Sequence, residues 1–412
     1  MPLEYPPAYR PGASVRHTPG AGAAPLTPSP WPQVGLTAAH GPIEQVWAPG
    51  QRRGNRFVFQ LIVSIVGGLA MLVAIGYIAI ATGLGNTSIG FVLALVPLTI
   101  VLLGVRWLDR WDPEPATMLV MALLWGAGVA VLSALVINTT AIMRIYESTQ
   151  DPTLAETYGA VIVAPISEEL VKGLGVLLIF LLRRNHLDGP VDGVVYAATI
   201  AAGFAFTENI LYFSQNAELV AEVFVLRGLV SPFAHALFTS CIGLAIGLAA
   251  RSPRKVMIVL AFPIGLLGAI VLHALWNGSA SLSGNFFAVY LLVQMPLFLG
   301  TVGLLFWLRH LEARVIRSRL GEYAAAGWFA PHEVDMLASL RLRSQAKTWA
   351  AAYGERAKAA TVSFQRDATT LAYRRQKVRS GRSTRAERTE TELLQGIAAA
   401  RRAVADAAAA RR

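Results

Sequence analysis

Cysteine is almost missing from this sequence. Cys241 is the one thiol in 412 residues, so no disulfide can form within a chain. Charge is scarce too: 15% of the residues are Asp, Glu, Lys or Arg, against about a quarter in soluble domains. With 54% hydrophobic residues and a mean hydropathy of +0.50, that scarcity excludes an ordinary water-soluble enzyme. The N-terminus, MPLEYPPAYRPG, lacks a basic stretch followed by an apolar core, so no cleavable signal peptide is expected and insertion relies on internal spans. No HExxH occurs, which removes the usual helix-borne hallmark of a zinc protease. Aromatic residues do not interleave with the basic residues of the C-terminal region, so no nucleic-acid partner is expected.

What is present is a series of apolar segments between about Phe57 and Leu308, each long enough to cross about 30 Å of hydrocarbon. They predict an all-α, polytopic membrane protein of about eight transmembrane helices, near 57–82, 87–105, 116–142, 158–182, 190–214, 226–250, 255–276 and 285–309. Lys and Arg concentrate on alternate loops, with Arg144 and Arg227 as exceptions on the opposite side. That bias predicts a plasma-membrane protein with both termini in the cytoplasm. Three regions follow: a Pro/Gly/Ala-rich disordered tail over 1–55, a membrane domain over 56–310 and a basic, helical tail over 311–412. From His310 onward there are 20 Lys and Arg against 10 Asp and Glu, so the tail holds +10 of the chain's net +11. Two or three amphipathic helices near an anionic leaflet are its simplest reading.

Charges inside such spans are costly, about 2.5–3.5 kcal/mol each at a helix centre, and mark functional sites. The fourth helix carries Glu168, Glu169 and Lys172 in EELVK, and the fifth carries Glu208 and Asn209 in FAFTEN. The sixth carries His235, and the seventh carries His273 and Asn277 in HALWN. Counting residues from each helix end at 1.5 Å per residue places all of them in the outer half, within a layer roughly 10 Å thick. Four helices bringing polar groups to one level implies one shared site. Lys172 lies three and four residues from the two acids, so it can neutralise one and leave the other to hold or take a proton.

Two carboxylates, two imidazoles and an amide suit hydrolysis by an activated water. With a divalent metal such as zinc, Glu208, His235 and His273 would be ligands and Glu168 or Glu169 the general base. Without one, Glu168 and Glu208 would activate the water, and His273 and Asn277 would donate to the oxyanion. Spacing leaves both versions open. An isolated intramembrane His is also an ordinary helix–helix hydrogen-bond partner, and a Glu–Lys pair can be purely structural.

The ordered set EELVK, FAFTEN, a helix-borne His235 and HALWN resembles PrsW-type intramembrane proteases, distant relatives of the CAAX prenyl endopeptidases of the Abi/CPBP group. LDRWDPEP (108–115) and GPVDGVVYAA (189–198) are similar to two further family segments. The resemblance covers about 57–310. It implies peptide-bond hydrolysis in membrane-embedded protein substrates, of which membrane-bound anti-sigma factors are one class. It makes Glu168 the leading base, Glu169 and Lys172 its support, and Glu208, His235 and His273 ligands or catalytic partners. Asn277 stands where some members have Asp. A proton- or ion-coupled transporter and a non-catalytic scaffold are the alternatives. A relay would need polar groups continuing across the membrane, and residues 173–182 are only Gly, Leu, Val, Ile and Phe.

Overall fold

The computed structural model describes residues 54–410, except 184–186, 188, 253, 255, 283–285 and 382–388. The tail expected over 1–55 lies outside these residues, apart from Gly54 and Asn55, which open the first helix. Among the described residues every regular element is helical. The membrane helices are α1 (Gly54–Thr82), α2 (Leu84–Leu108), α3 (Ala116–Thr149), α4 (152–183), α5 (Pro190–Gln215), α6 (220–230), α7 (Ala234–Ala250), α8 (Val256–Leu282) and α9 (Phe286–Ala325). Among the described residues seven stretches are long and apolar enough to span a bilayer, α6 and α7 counting together. The expected span within α4 is long enough but does not join them, because Glu168, Glu169 and Lys172 break its apolar character.

Helix α5 is the axis of the bundle. Of its most apolar window 83% is buried, against 11% for α1. Small residues on α5 allow this. A Cβ built on Gly193 would overlap the Gly243 carbonyl oxygen of α7, and one on Gly243 would overlap that of Gly193. Side chains then pin α3 to its neighbours: Thr207 donates to the Ala127 carbonyl at 2.8 Å, and the Trp125 indole to that of Val171 at 3.0 Å.

Wide π-helical turns interrupt the regular helices at 125–130, 159–163, 225–230 and 290–294. Such turns re-aim side chains and are frequent at functional sites. The one at 159–163 directly precedes the acidic stretch of α4, and the one at 225–230 holds Arg227 and is separated from α7 by three residues.

The region after residue 310 contains more helix than expected. Helix α9 runs unbroken to Ala325, and α10 (Pro331–Leu337), α11 (Leu340–Ala351), α12 (Glu355–Arg379) and α13 (Glu390–Ala409) follow. These helices are tied to the loop after α2. Buried Arg343 donates to the carbonyls of Leu337 at 2.7 Å and Trp111 at 3.4 Å and to Thr369 Oγ1 at 2.6 Å. In the same loop Asp109 accepts from the Glu114 amide at 2.9 Å, and Glu114 accepts from Tyr196 of α5 at 2.5 Å. The two supporting segments of the sequence therefore meet in space.

Replacing Gly243 by Val wedges α5 from α7 and lowers the melting temperature in detergent, corresponding to about 1–3 kcal/mol or more. Gly300→Val serves as the control, since Gly300 has open space around it. A second expectation concerns Asp109, whose carboxyl burial pushes up from 3.8 to about 7, the Glu114 amide opposing and Asp112 assisting. The folded protein thus holds this proton more tightly than the unfolded chain. That contribution is complete below about pH 4 and lost as pH rises through about 7. Asp109→Asn keeps an acceptor oxygen and flattens this decline in melts between pH 5 and 8.

Candidate active site

Helix α4 supplies the centre of the site. The side chain of Lys172 has no exposed surface, so its ammonium must be satisfied by protein. It lies 2.8 Å from Glu169 Oε1, 3.4 Å from Glu168 Oε2 and 3.2 Å from His235 Nδ1. The Phe204 ring covers it, with the nitrogen 3.8 Å from the ring centroid. Lys172 touches both acids, where spacing suggested that it would neutralise one.

The three carboxylates differ in how fully they are held. Glu169 also accepts from Thr239 at 2.8 Å and faces His273 Nδ1 at 3.0 Å. Glu208 lies 2.5 Å from the Arg227 guanidinium and 2.8 Å from His235 Nε2. Arg227 in turn donates to Asn209 at 2.9 Å and stacks over Tyr212. Glu168 makes only longer contacts: 3.3 Å to the Asn138 amide, 3.4 Å to Lys172 and 3.9 Å to His273 Nε2. Glu168 is the least committed of the three.

These contacts orient both imidazoles. Glu169 accepts the Nδ1 proton of His273, which leaves Nε2 turned toward Glu168. Lys172 donates to His235 Nδ1, so the Nε2 proton of His235 goes to Glu208. A carboxylate stands behind each ring, the arrangement that orients metal-binding imidazoles. One potential ligand atom from each of Glu168, His235 and His273 lies within 4.8 Å of the others. The rings are perpendicular, with centroids 5.2 Å apart, and Phe238 stacks on His273. Three carboxylates face two cations, Lys172 and Arg227, so the cluster carries one formal negative charge in excess with neutral imidazoles. Donor types, proximity and charge fit a divalent cation once Lys172 releases His235 Nδ1, the one lone pair which that ring has left.

Six of the seven residues singled out in the sequence meet here: Glu168, Glu169, Lys172, Glu208, His235 and His273. Asn277 does not join them. It donates to the Ala160 carbonyl at 2.8 Å and fastens α8 to the π turn of α4, so its donor is not free for an oxyanion. The third group beside the two imidazoles is Glu168, whereas Glu208, expected as a ligand, sits behind His235 because Arg227 draws it there. Thr239, Asn138 and Arg227 were missed. Arg227 had left one signal, as a positive charge on the wrong side of the loop bias. Thr239 and Asn138 look like any polar residues of membrane helices.

Removing one partner of a buried ion pair strands the other, at about 3–5 kcal/mol. Glu169→Ala strands Lys172, Thr239 and His273 together and is expected to lower the melting temperature sharply. Thr239→Val removes one hydrogen bond to a charged group and costs less, about 1.5–3 kcal/mol. Thermal unfolding of the two variants in the same detergent checks the order.

Residues 114–301 match the family described as PrsW family intramembrane metalloprotease. "Protease PrsW" of Clostridioides difficile (strain 630) is 32% identical over 154 residues, covering 37% of this chain and 63% of the relative. That of Geobacillus kaustophilus (strain HTA426) is 28% identical over 147 residues, 36% and 60% of the two chains. That of Bacillus subtilis (strain 168) is 27% identical over 196 residues, 48% and 84% of the two chains. The chain thus spans about three-fifths of the length of the first two relatives. No solved structure matches it. Every residue of the buried cluster falls between 114 and 301, and over that span this multi-pass membrane protein is similar to the PrsW family intramembrane metalloproteases.

Proposed function

We propose that the protein is an intramembrane endopeptidase that cleaves membrane-embedded protein substrates with a water activated at Glu168. The observation that carries this reading is the convergence of Glu168 with two carboxylate-backed imidazoles inside an apolar bundle. Glu168 is the carboxylate with spare basicity, because its contacts are the longest of the three. It accepts a proton from the attacking water as the water oxygen bonds to the scissile carbonyl carbon. That proton then passes to the amine as the carbon–nitrogen bond breaks. Glu169 and Glu208 keep His273 and His235 in the required tautomers, while Lys172 and Arg227 hold those two carboxylates in place.

One oxygen of Glu168, His273 and the His235 Nδ1 that Lys172 now holds would bind a divalent ion such as zinc, which would supply Lewis-acid polarisation and a more acidic water, the second Glu168 oxygen remaining the base. The Lys/Arg bias supports a plasma-membrane location with both termini cytoplasmic and the cluster in the outer half. Membrane-anchored anti-sigma factors are the substrate class to try first, on the family resemblance. Nothing beyond the cluster on α4 supports a transport relay, since the stretch 173–182 carries no polar side chain.

The test is cleavage of a tagged single-span substrate in liposomes. Glu168→Gln, close in shape, is expected to lose at least 10²-fold in rate. Asn277→Ala is expected to retain most activity, with a reduced melting temperature. Full cleavage by Glu168→Gln would overturn the reading. Metal content measured alongside should be stoichiometric in wild type and Asn277→Ala, and lost in His273→Ala.

A further inference from the structure

Apart from the buried cluster, a cavity lies where the loop after α2 meets the C-terminal helices. It encloses about 830 Å³. Its lining combines apolar and cationic side chains. Leu103 and Val120, 60% and 51% exposed, contribute apolar surface, on segments that span the membrane. Arg106, Arg110 and Lys347 contribute positive charge. Arg106 lies in the last turn of α2, Arg110 two residues past its end, and Lys347 comes from α11. Among the described residues none of these three cations forms an ion pair.

Four cations and two acids, Asp109 and Glu114, line the wall, so a formal charge of +2 remains. Asp109 accepts from the Glu114 amide, and Glu114 accepts from Tyr196. Burial also raises the Asp109 carboxyl to about 7, which reduces its charge near neutrality. Arg343 contributes shape, since its donors are spent on Leu337, Trp111 and Thr369. The result is a cavity with a cationic excess and apolar lining residues, at the end of a membrane span.

We infer that this cavity binds a phosphate-bearing anion, with Arg106, Arg110 and Lys347 on the phosphate. Its apolar lining residues fit the glycerol and upper acyl region of an anionic phospholipid. The C-terminal helices complete the site through Lys347, which gives a chemical role to a region that lies outside the family match at 114–301. The inference is independent of the proteolytic reading.

Full-length protein in mild detergent is titrated with phosphatidylglycerol or phosphatidylcholine and followed by native mass spectrometry, with and without inorganic phosphate. Wild type is expected to prefer phosphatidylglycerol. Lys347→Gln should weaken that binding about fivefold, and the triple Arg106→Gln/Arg110→Gln/Lys347→Gln variant about a hundredfold, from roughly one factor of five per basic residue. Lys347 lies on a helix outside the membrane, so its variant keeps the test valid if the triple variant does not fold. Phosphatidylglycerol retained against excess phosphate identifies a lipid headgroup. Displacement by phosphate, lost in the same variants, identifies the free ion. Equal binding of the two lipids with no phosphate effect, or phosphatidylglycerol binding unchanged in Lys347→Gln, overturns the inference.

Discussion

The ammonium of Lys172, wholly buried between α4, α5 and α7, is the constraint to which the rest of the site answers. A charge removed from water needs partners on every side, and a missing one costs several kcal/mol. Glu169 and Glu168 come from its own helix, His235 from α7 and the Phe204 ring from α5. Satisfying one cation therefore gathers three helices. Glu169 extends the set to α8 through His273, and His235 extends it to Glu208 and so to Arg227. Two carboxylates are consumed in orienting imidazoles, and the excess negative charge falls on Glu168.

Such a network needs a scaffold that holds helix axes close. Helix α5 provides it by being narrow where it meets α7, at Gly193 against Gly243. The π turns before Ala164 and around Arg227 then aim polar side chains inward from helices whose regular faces would turn them elsewhere. The loop over 108–115 ties this bundle to the C-terminal helices, since Glu114 binds Tyr196 of α5 while the Trp111 carbonyl receives Arg343. The cationic cavity lies along that same junction, so a ligand there would touch both the membrane helices and the region after them.

The all-α membrane class was legible in the sequence, because a bilayer admits only long apolar helices, but several helix ends were not: α3 runs seven residues and α9 sixteen residues past the expected ends, where polar helix continues the apolar span. The six residues of the cluster were legible for a related reason: intramembrane charges are too costly to be placed idly. Spacing along single helices could not say which acid holds which imidazole. That depends on rotations of α5, α7 and α8 about their axes, which differ by angles that no residue count supplies. Asn277 shows the limit. It shares a face with His273, yet a backbone carbonyl freed by the π turn at 159–163 claims it.

By itself the sequence determined that this is a membrane protein with a costly set of acids, histidines and one lysine at a common depth. Hydrophobic period, charge bias and the price of burying ions are local properties of a chain, so they can be read without coordinates. Only the tertiary structure decided that Glu168 stands least neutralised beside two oriented imidazoles, that Glu208 belongs to Arg227, and that the C-terminal helices close a cationic cavity. Those outcomes depend on distances between residues as much as 241 positions apart, from Arg106 to Lys347, and electrostatic energy falls with distance in space and is blind to distance along the chain.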